Sequence, residues 1–186
     1  MNLQLQAVLD EFNEATRRLQ RLAQSTREEL WTRRPDPDRW SMSECVAHLN
    51  LTSTAFVPLI QDALDRAQRL GRPAPKRYRR DFIGWLLWKG SGPPVRTRVK
   101  TAAPFVPQST APLKDLVGEF ARLNEQLIEL VRRADGLPLT DVTITSPFNS
   151  RMKYNAFSGL TILPRHEHRH LWQAEQVSAQ LGTTRA

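Results

Sequence analysis

Cysteine is almost absent from this sequence, since Cys45 is the only one among 186 residues. One thiol excludes an intramolecular disulfide, and we therefore predict a reducing, cytoplasmic location. Long hydrophobic runs are lacking too: the longest apolar patch, Phe82 to Trp88, is far shorter than the about 20 residues of a membrane-spanning helix. The N-terminal segment has early acidic residues and no continuous apolar run, so it does not have the pattern of a signal peptide. We expect a soluble protein with no membrane partner.

Acidic residues are outnumbered, with 19 Asp and Glu against 27 Lys and Arg, which gives a net charge of +8. Such a charge is compatible with a nucleic acid or another anionic partner. The basic residues are spread over several segments, however, and no recognition-helix or RNA-binding motif accompanies them. Solvated helix faces explain the charge more simply, so we do not expect nucleic acid as the partner.

The length suits a single domain, residues 1–186, with one core of useful size. Two segments place apolar residues at steps of three and four, the spacing of a helix that packs in a bundle. The first stripe consists of Leu5, Val8, Phe12, Ala15, Leu19 and Leu22, and the second of Leu113, Leu116, Phe120, Leu123, Leu127 and Val131.

Two further helices are predicted from capping and breaking residues. Ser41 and Glu44 form a capping box that begins a helix running towards Gly71, and Pro58 should bend or interrupt it. The last helix covers about residues 158–181, and its regular part is expected to begin only at Pro164.

Residues 72–110 form a long proline- and arginine-rich connection that contains one short aromatic helix, "DFIGWLLWKG". A connection of this length suits a bundle whose middle helices run parallel. The segment 139–148, "LTDVTITSPF", alternates β-branched residues, but one strand makes no sheet. We therefore predict an all-α fold, an up-down-down-up four-helix bundle with the long connection between helices two and three.

Three of the four histidines fall within one five-residue segment of the last helix, from His166 to His170. At about 100° per residue, His170 and Gln173 lie within about 40° of His166, on the apolar stripe. His168 lies about 200° away and is expected to face solvent.

The fourth histidine, His48, shares the buried stripe of the second helix with Cys45 and Thr52. If the second and last helices begin at the same end of the bundle, three imidazoles converge there. Three neutral imidazoles suit zinc, nickel, iron or manganese, with positions left for water. The alternative for each ring is a hydrogen-bonded core residue, although burying three without a shared partner would cost several kcal/mol.

Two residues near His48 have alternative roles. Glu44 is a capping carboxylate, or else a catalytic general base one turn from His48. Cys45 is a small buried side chain, or else a fourth ligand or a reactive thiol.

Two segments together resemble the DinB-like family of metal-binding four-helix bundles. The segment Arg39–Asn50, "RWSMSECVAHLN", is similar to the family's W-S-x-x-E-x-x-x-H-L element, and "HEHRHLWQAEQ" is similar to its C-terminal H-x-x-x-H-x-x-Q. The resemblance extends over nearly the whole chain. It implies that His48, His166 and His170 bind the metal. It also implies that Gln173 contacts and orients one of these ligands without binding the metal itself.

The resemblance also implies a zinc or nickel ion, with iron or manganese as alternatives, and a homodimer. Characterised members of the family include thiol S-transferases that use bacillithiol, mycothiol or glutathione, and others are described as metal-dependent hydrolases. One hypothesis is therefore a metal-dependent enzyme with a small-molecule substrate such as a low-molecular-weight thiol. The other is a non-enzymatic, metal-stabilised binding or stress-response module that contacts nucleic acid through its basic surface. A ligand position open to solvent would favour the enzyme.

Overall fold

A computed structural model describes residues 1–94, 101–109 and 111–183. In these ranges the chain forms five α-helices and one two-stranded sheet, which confirms the predicted all-α class. The elements, in order, are α1 (Leu3–Ser25), α2 (Met42–Arg69), α3 (Phe82–Gly90), α4 (Leu113–Arg133), β1 (Thr143–Thr145), β2 (Lys153–Asn155) and α5 (Ala156–Thr183). Short 3-10 turns lie at Glu28–Leu30 and Ala103–Phe105.

The apolar stripes of α1 and α4 face the core as predicted. All six stripe residues of α1 are buried, and so are five of the six in α4, where only Leu113 in the first turn remains partly exposed. The stripes could be predicted from the sequence because an amphipathic helix concentrates its apolar residues on one face, and that face packs against the core.

The capping box at the start of α2 is present. The backbone N–H of Glu44 donates to Ser41 Oγ at 3.2 Å, and the backbone N–H of Ser41 donates to the Glu44 carboxylate at 2.8 Å. The helix continues through Pro58, which is exposed, so the unbonded carbonyl of the preceding turn can be hydrated. The chain leaves the helix at Gly71, where φ is +61°.

Helix α5 begins earlier than predicted and runs straight through Pro164. Its start is fixed by Asn155, whose side-chain oxygen accepts a hydrogen bond from the backbone N–H of Ser158 at 2.8 Å. The prediction that regular helix begins at Pro164 is therefore wrong, and His166 lies ten residues into the helix.

The expectation of no sheet is also wrong. Strand β1 pairs antiparallel with β2. Ile144 lies opposite Tyr154 in this pair, and both side chains are buried in the core. The second strand is three residues long and contains Lys153 and Asn155, so it carries no alternating apolar signal.

The connection predicted at 72–110 contains the short helix α3, which packs against α5. Residues 95–100 and 110 of this connection lie outside the described ranges. No helix in the described ranges is long and apolar enough to cross a membrane.

The long helices enclose two core clusters stacked along the bundle. One joins the beginnings of α1 and α5 to the ends of α2 and α4, and the other joins the ends of α1 and α5 to the beginnings of α2 and α4. The beginning of α2 thus meets the second half of α5. The condition that both helices begin at the same end does not hold. His48 reaches His166 and His170 because α5 starts ten residues before His166 and fourteen before His170.

Candidate metal centre

Three histidines from two helices form one cluster. His48 lies in the second turn of α2, and His166 and His170 lie one turn apart on α5. Side chains four residues apart share one face of a helix, so the two α5 rings point the same way, towards α2. The candidate ligand atoms of all three lie within 4.8 Å of one another.

The Nε2 atoms face a common point. His166 Nε2 is 3.1 Å from His170 Nε2 and 3.4 Å from His48 Nε2. Metal–nitrogen bonds of about 2.0–2.1 Å, at tetrahedral or octahedral angles, separate neighbouring ligand nitrogens by about 2.9–3.4 Å. The spacing therefore fits three ligands of one ion, and the sequence-based grouping of these histidines agrees with the structure.

The ring of His48 is held from behind by the main chain. Its Nδ1 lies 2.8 Å from the carbonyl oxygen of Phe105, so in the neutral ring Nδ1–H donates to this carbonyl and Nε2 keeps its lone pair. Metal-binding histidines are commonly oriented by such a bond. Phe105 belongs to the 3-10 turn at Ala103–Phe105, and no sequence signal identifies it, because any residue supplies a carbonyl.

All three imidazoles are held in the neutral form that binds metals. Burial lowers the pKa of His48, although the Phe105 carbonyl opposes it. Burial, together with His48 and Arg169, lowers the pKa of His166 to about 3. Burial is also the largest cause for His170, whose pKa lies well below its ordinary value.

Gln173 lies one turn after His170, on the same side of α5. Its side chain acts to raise the pKa of His170, which places the amide beside that ring. Gln173 Oε1 and the Nδ1 atoms of His166 and His170 are all buried, and none has a hydrogen bond of ordinary geometry to any residue that the structure describes. Buried polar atoms normally have partners, so these atoms are poised to form bonds after a small rearrangement.

Aromatic side chains surround the histidines. The ring centroid of Trp40 is 5.0 Å from that of His48 and 6.0 Å from that of His170, so Trp40 packs on the cluster itself as well as on the start of α2. The ring centroid of Phe148 is 6.0 Å from that of His166 and 4.3 Å from that of Phe105. This apolar surrounding excludes water and strengthens electrostatic interactions within the site.

His168 stands apart from the cluster, but it does not face solvent as predicted. Its side chain is half-buried against α1, with Nδ1 3.4 Å from Arg18 Nη1. The angular prediction correctly separated it from the inward pair. It could not show that a neighbouring helix covers that side of α5.

Glu44 and Cys45 are occupied in other ways. The Glu44 carboxylate accepts from Arg34 Nε at 2.9 Å and from the Ser41 backbone at 2.8 Å. Burial acts to raise the pKa of Glu44, but Arg34 and Ser41 outweigh it and the pKa is lowered. Cys45 is 2% exposed, and burial raises the pKa of its thiol to about 12. Cys45 is a buried thiol and is not a member of the histidine group.

Two arginines beside the tract support α3 instead of lying in solvent. Arg165 Nε donates to the Trp88 carbonyl at 2.7 Å, and Arg169 Nη1 donates to the Gly90 carbonyl at 2.9 Å.

Glu167 is a buried carboxyl that sequence reasoning missed. It is 1% exposed, Asn124 Nδ2 donates to it at 3.2 Å, and burial raises its pKa to about 8. A glutamate within a charged tract is normally solvated, so only tertiary packing could reveal it.

Comparison with known proteins adds one match. The family model of the DinB superfamily matches residues 11–174, which include all three histidines and Gln173. No curated protein and no solved structure matches the chain.

Proposed function

The chain belongs to the DinB superfamily, and we propose that it binds one divalent metal ion through His48, His166 and His170 and acts as a metal-dependent enzyme. The observation that carries the proposal is the convergence of three Nε2 atoms at 3.1 and 3.4 Å. Zinc or nickel is the proposed ion, with iron and manganese as alternatives, because neutral imidazoles are good ligands for all four.

The cluster fits a cation on chemical grounds. Burial keeps the rings neutral, and in the tautomers that leave all three Nε2 atoms unprotonated, the lone pairs face one another and repel. A divalent ion bound by all three turns this repulsion into attraction. The carbonyl of Phe105 supports the arrangement by keeping the lone pair of His48 on the cluster side.

The reaction proposed is thiol transfer or hydrolysis of a small molecule. Among the described residues only three protein ligands converge, which leaves positions for other ligands, as in catalytic sites. A bound divalent ion makes a coordinated water or thiol more acidic. The three histidines would hold the ion, and Trp40 and Phe148 would exclude bulk water from it.

The position of Glu44 favours thiol S-transfer over hydrolysis. Attack by water benefits from a free carboxylate base, whereas both oxygens of Glu44 are engaged by Arg34 and Ser41. A thiol that is acidified on the ion needs no such base. We retain Glu44 as the proposed base for the hydrolase case, in which it would have to leave Arg34.

We propose the remaining features together with this function: a single domain over 1–186, up-down-down-up topology, a homodimer and a cytoplasmic location. The topology is supported by the core cluster that joins the beginnings of α1 and α5 to the ends of α2 and α4.

A non-enzymatic role is the second candidate. It is supported by burial of the site, since His48 is only 2% and His170 only 8% exposed. A metal enclosed in this way would stabilise a binding or stress-response module, and the net charge of +8 would attract nucleic acid.

Metal-dependent activity of the purified protein tests the choice. Protein loaded with the metal that it retains on purification is assayed for transfer of bacillithiol, mycothiol or glutathione to an electrophile, and for ester hydrolysis. We expect thiol transfer that is lost in His170→Ala and retained in Glu44→Gln, whose amide still caps α2. Loss in Glu44→Gln as well would assign the base role, and binding of metal without either activity would support the second candidate.

A further inference from the structure

Helix α3 presents an apolar face to solvent. Phe82 is 74% exposed, Ile83 37%, Trp85 44% and Leu86 52%. These four residues, hereafter the α3 face, lie on one side of the helix, and the rings of Phe82 and Trp85 are stacked with centroids 6.4 Å apart. The outer side of a surface helix is ordinarily polar, and a contiguous apolar group of this kind marks an interaction surface.

The orientation of α3 is fixed by its inner side. Gly84 lies so close to α5 that a Cβ there would come within 2.0 Å of Ser158 Oγ. Asp81 caps the helix by accepting from the backbone N–H of Gly84 at 2.7 Å. Arg165 binds the Trp88 carbonyl and lies 4.1 Å from the Trp88 ring centroid. The helix therefore cannot roll to bury the α3 face without losing these contacts.

The border of the α3 face is basic. Arg77 and Arg79 are exposed and line one groove with Phe82 and Trp85. Lys89, one turn after Trp85, is also exposed, and its Nζ lies 5.2 Å from the centroid of the Trp85 ring. The sequence from 72 to 100 contains nine Lys and Arg but only one acidic residue, Asp81, whose carboxylate is used as the helix cap.

Charge decides between the candidate occupants. Two copies of the chain meeting through this face would bring their basic borders together and repel. A nucleic acid would be neutralised by the arginines and could stack on Phe82 and Trp85, but it has no use for the aliphatic Ile83 and Leu86. An anionic bilayer matches all parts, because aliphatic and aromatic side chains enter the headgroup boundary while Lys and Arg contact anionic headgroups.

We propose that the α3 face is a peripheral membrane-docking surface that binds anionic phospholipid headgroups. The expectation of no membrane partner was based on the lack of a spanning segment, and docking at the membrane surface needs no such segment. The inner side of α3 covers the core through Leu87 and Trp88, while the α3 face points outward. The surface is separate from the metal centre and does not depend on the proposed enzymatic function.

Vesicle co-sedimentation of the full chain tests the proposal. Phosphatidylcholine vesicles are compared with vesicles of phosphatidylcholine and phosphatidylglycerol in equal parts, at low and high salt. We expect the protein to sediment with the anionic vesicles only, and to be released as salt rises. Absence of binding at low salt, or equal binding to both vesicles, would overturn the proposal.

Paired variants locate the surface. Phe82→Ser with Trp85→Ser should lower the bound fraction by at least about tenfold, because the apolar insertion is lost. Arg77→Glu with Arg79→Glu should weaken binding to the anionic vesicles by at least about 25-fold, at roughly fivefold for each positive charge removed. The matched control, Leu51→Ser with Leu70→Ser, removes exposed apolar residues outside the α3 face and should bind as the wild type does.

Three readouts separate other outcomes. Unchanged helical circular dichroism and metal content in Phe82→Ser with Trp85→Ser show that the fold and the metal centre are intact. If light scattering finds a dimer in the wild type that this variant breaks, the partner of the α3 face is a second copy of the chain and not a membrane. If the protein binds a single-stranded oligonucleotide through Phe82 and Trp85 but does not bind vesicles, the partner of the α3 face is a nucleic acid.

Discussion

The Nδ1 atom of His48 lies 2.8 Å from the main-chain carbonyl oxygen of Phe105, so the chain just before α4 fixes a ring on α2. No group among the described residues forms a comparable bond to Nδ1 of His166 or His170. His48 is thus the pre-oriented member of the cluster, and the α5 pair is positioned by helix geometry and aromatic packing. This difference leads to distinct expectations for the individual residues.

Metal content should depend on His170 and hardly at all on His168. His170→Ala removes one of three converging nitrogens, whereas His168 contacts Arg18 on α1. Loss of residues that merely orient a ligand costs about 10- to 100-fold in affinity, and loss of a ligand should cost at least as much. Elemental analysis of both purified variants measures this. Equal metal loss in the two would defeat the assignment.

Gln173→Leu should weaken metal binding without abolishing it. The Gln173 amide lies beside His170, where it can accept from Nδ1–H once the ion occupies Nε2. We expect an affinity lower by about 10- to 100-fold in chelator competition. Gln176→Leu is the matched control, since Gln176 is exposed on the same helix. An unchanged affinity in Gln173→Leu would show that the amide plays no part.

Acid should destabilise the metal-free protein through the histidines. The pKa values of His48, His166 and His170 are lowered by folding, that of His166 to about 3. Below about pH 6.5 the unfolded chain binds protons that the folded one does not, so the free energy of unfolding falls by up to about 1.4 kcal/mol per histidine per pH unit. Above that pH the histidines add no pH dependence.

Comparison with His166→Gln isolates this effect in chemical denaturation between about pH 7 and about pH 5. Glu167, whose pKa is raised to about 8, acts in the opposite direction in both proteins and cancels in the difference. Wild-type stability should fall more steeply with acid than that of His166→Gln. Parallel curves would contradict the lowered pKa of His166.

Gly84→Ala should destabilise the protein by about 1–3 kcal/mol, despite the better helix propensity of alanine. The new Cβ would lie 2.0 Å from Ser158 Oγ and 2.2 Å from Ser158 Cβ, so α3 must move from α5. Gly90→Ala is the control, because nothing lies within 4 Å of its added Cβ. Thermal unfolding measures both. Adding Ser158→Gly to Gly84→Ala should recover part of the loss, and no recovery would mean that another contact is responsible.

Local patterns in the sequence determined several elements. The stripe from Leu5 to Leu22 and the box of Ser41 with Glu44 depend only on neighbours along one helix, and both are present. His166 and His170 were grouped correctly because their spacing fixes a common face, and His48 joins them although α2 and α5 begin at opposite ends of the bundle. The resemblance to the DinB superfamily agrees with the family match over residues 11–174.

Tertiary structure alone decided the rest. Asn155 and β2 hold the chain so that α5 begins before Pro164, and α1 covers His168, which a single helix cannot show. Phe105 joins the site through a backbone carbonyl that every residue possesses, and the exposure of Phe82 follows from the close approach of Gly84 to Ser158. Periodicity records which face of a helix is apolar. Which partner covers each face is determined by contacts between residues distant in the chain.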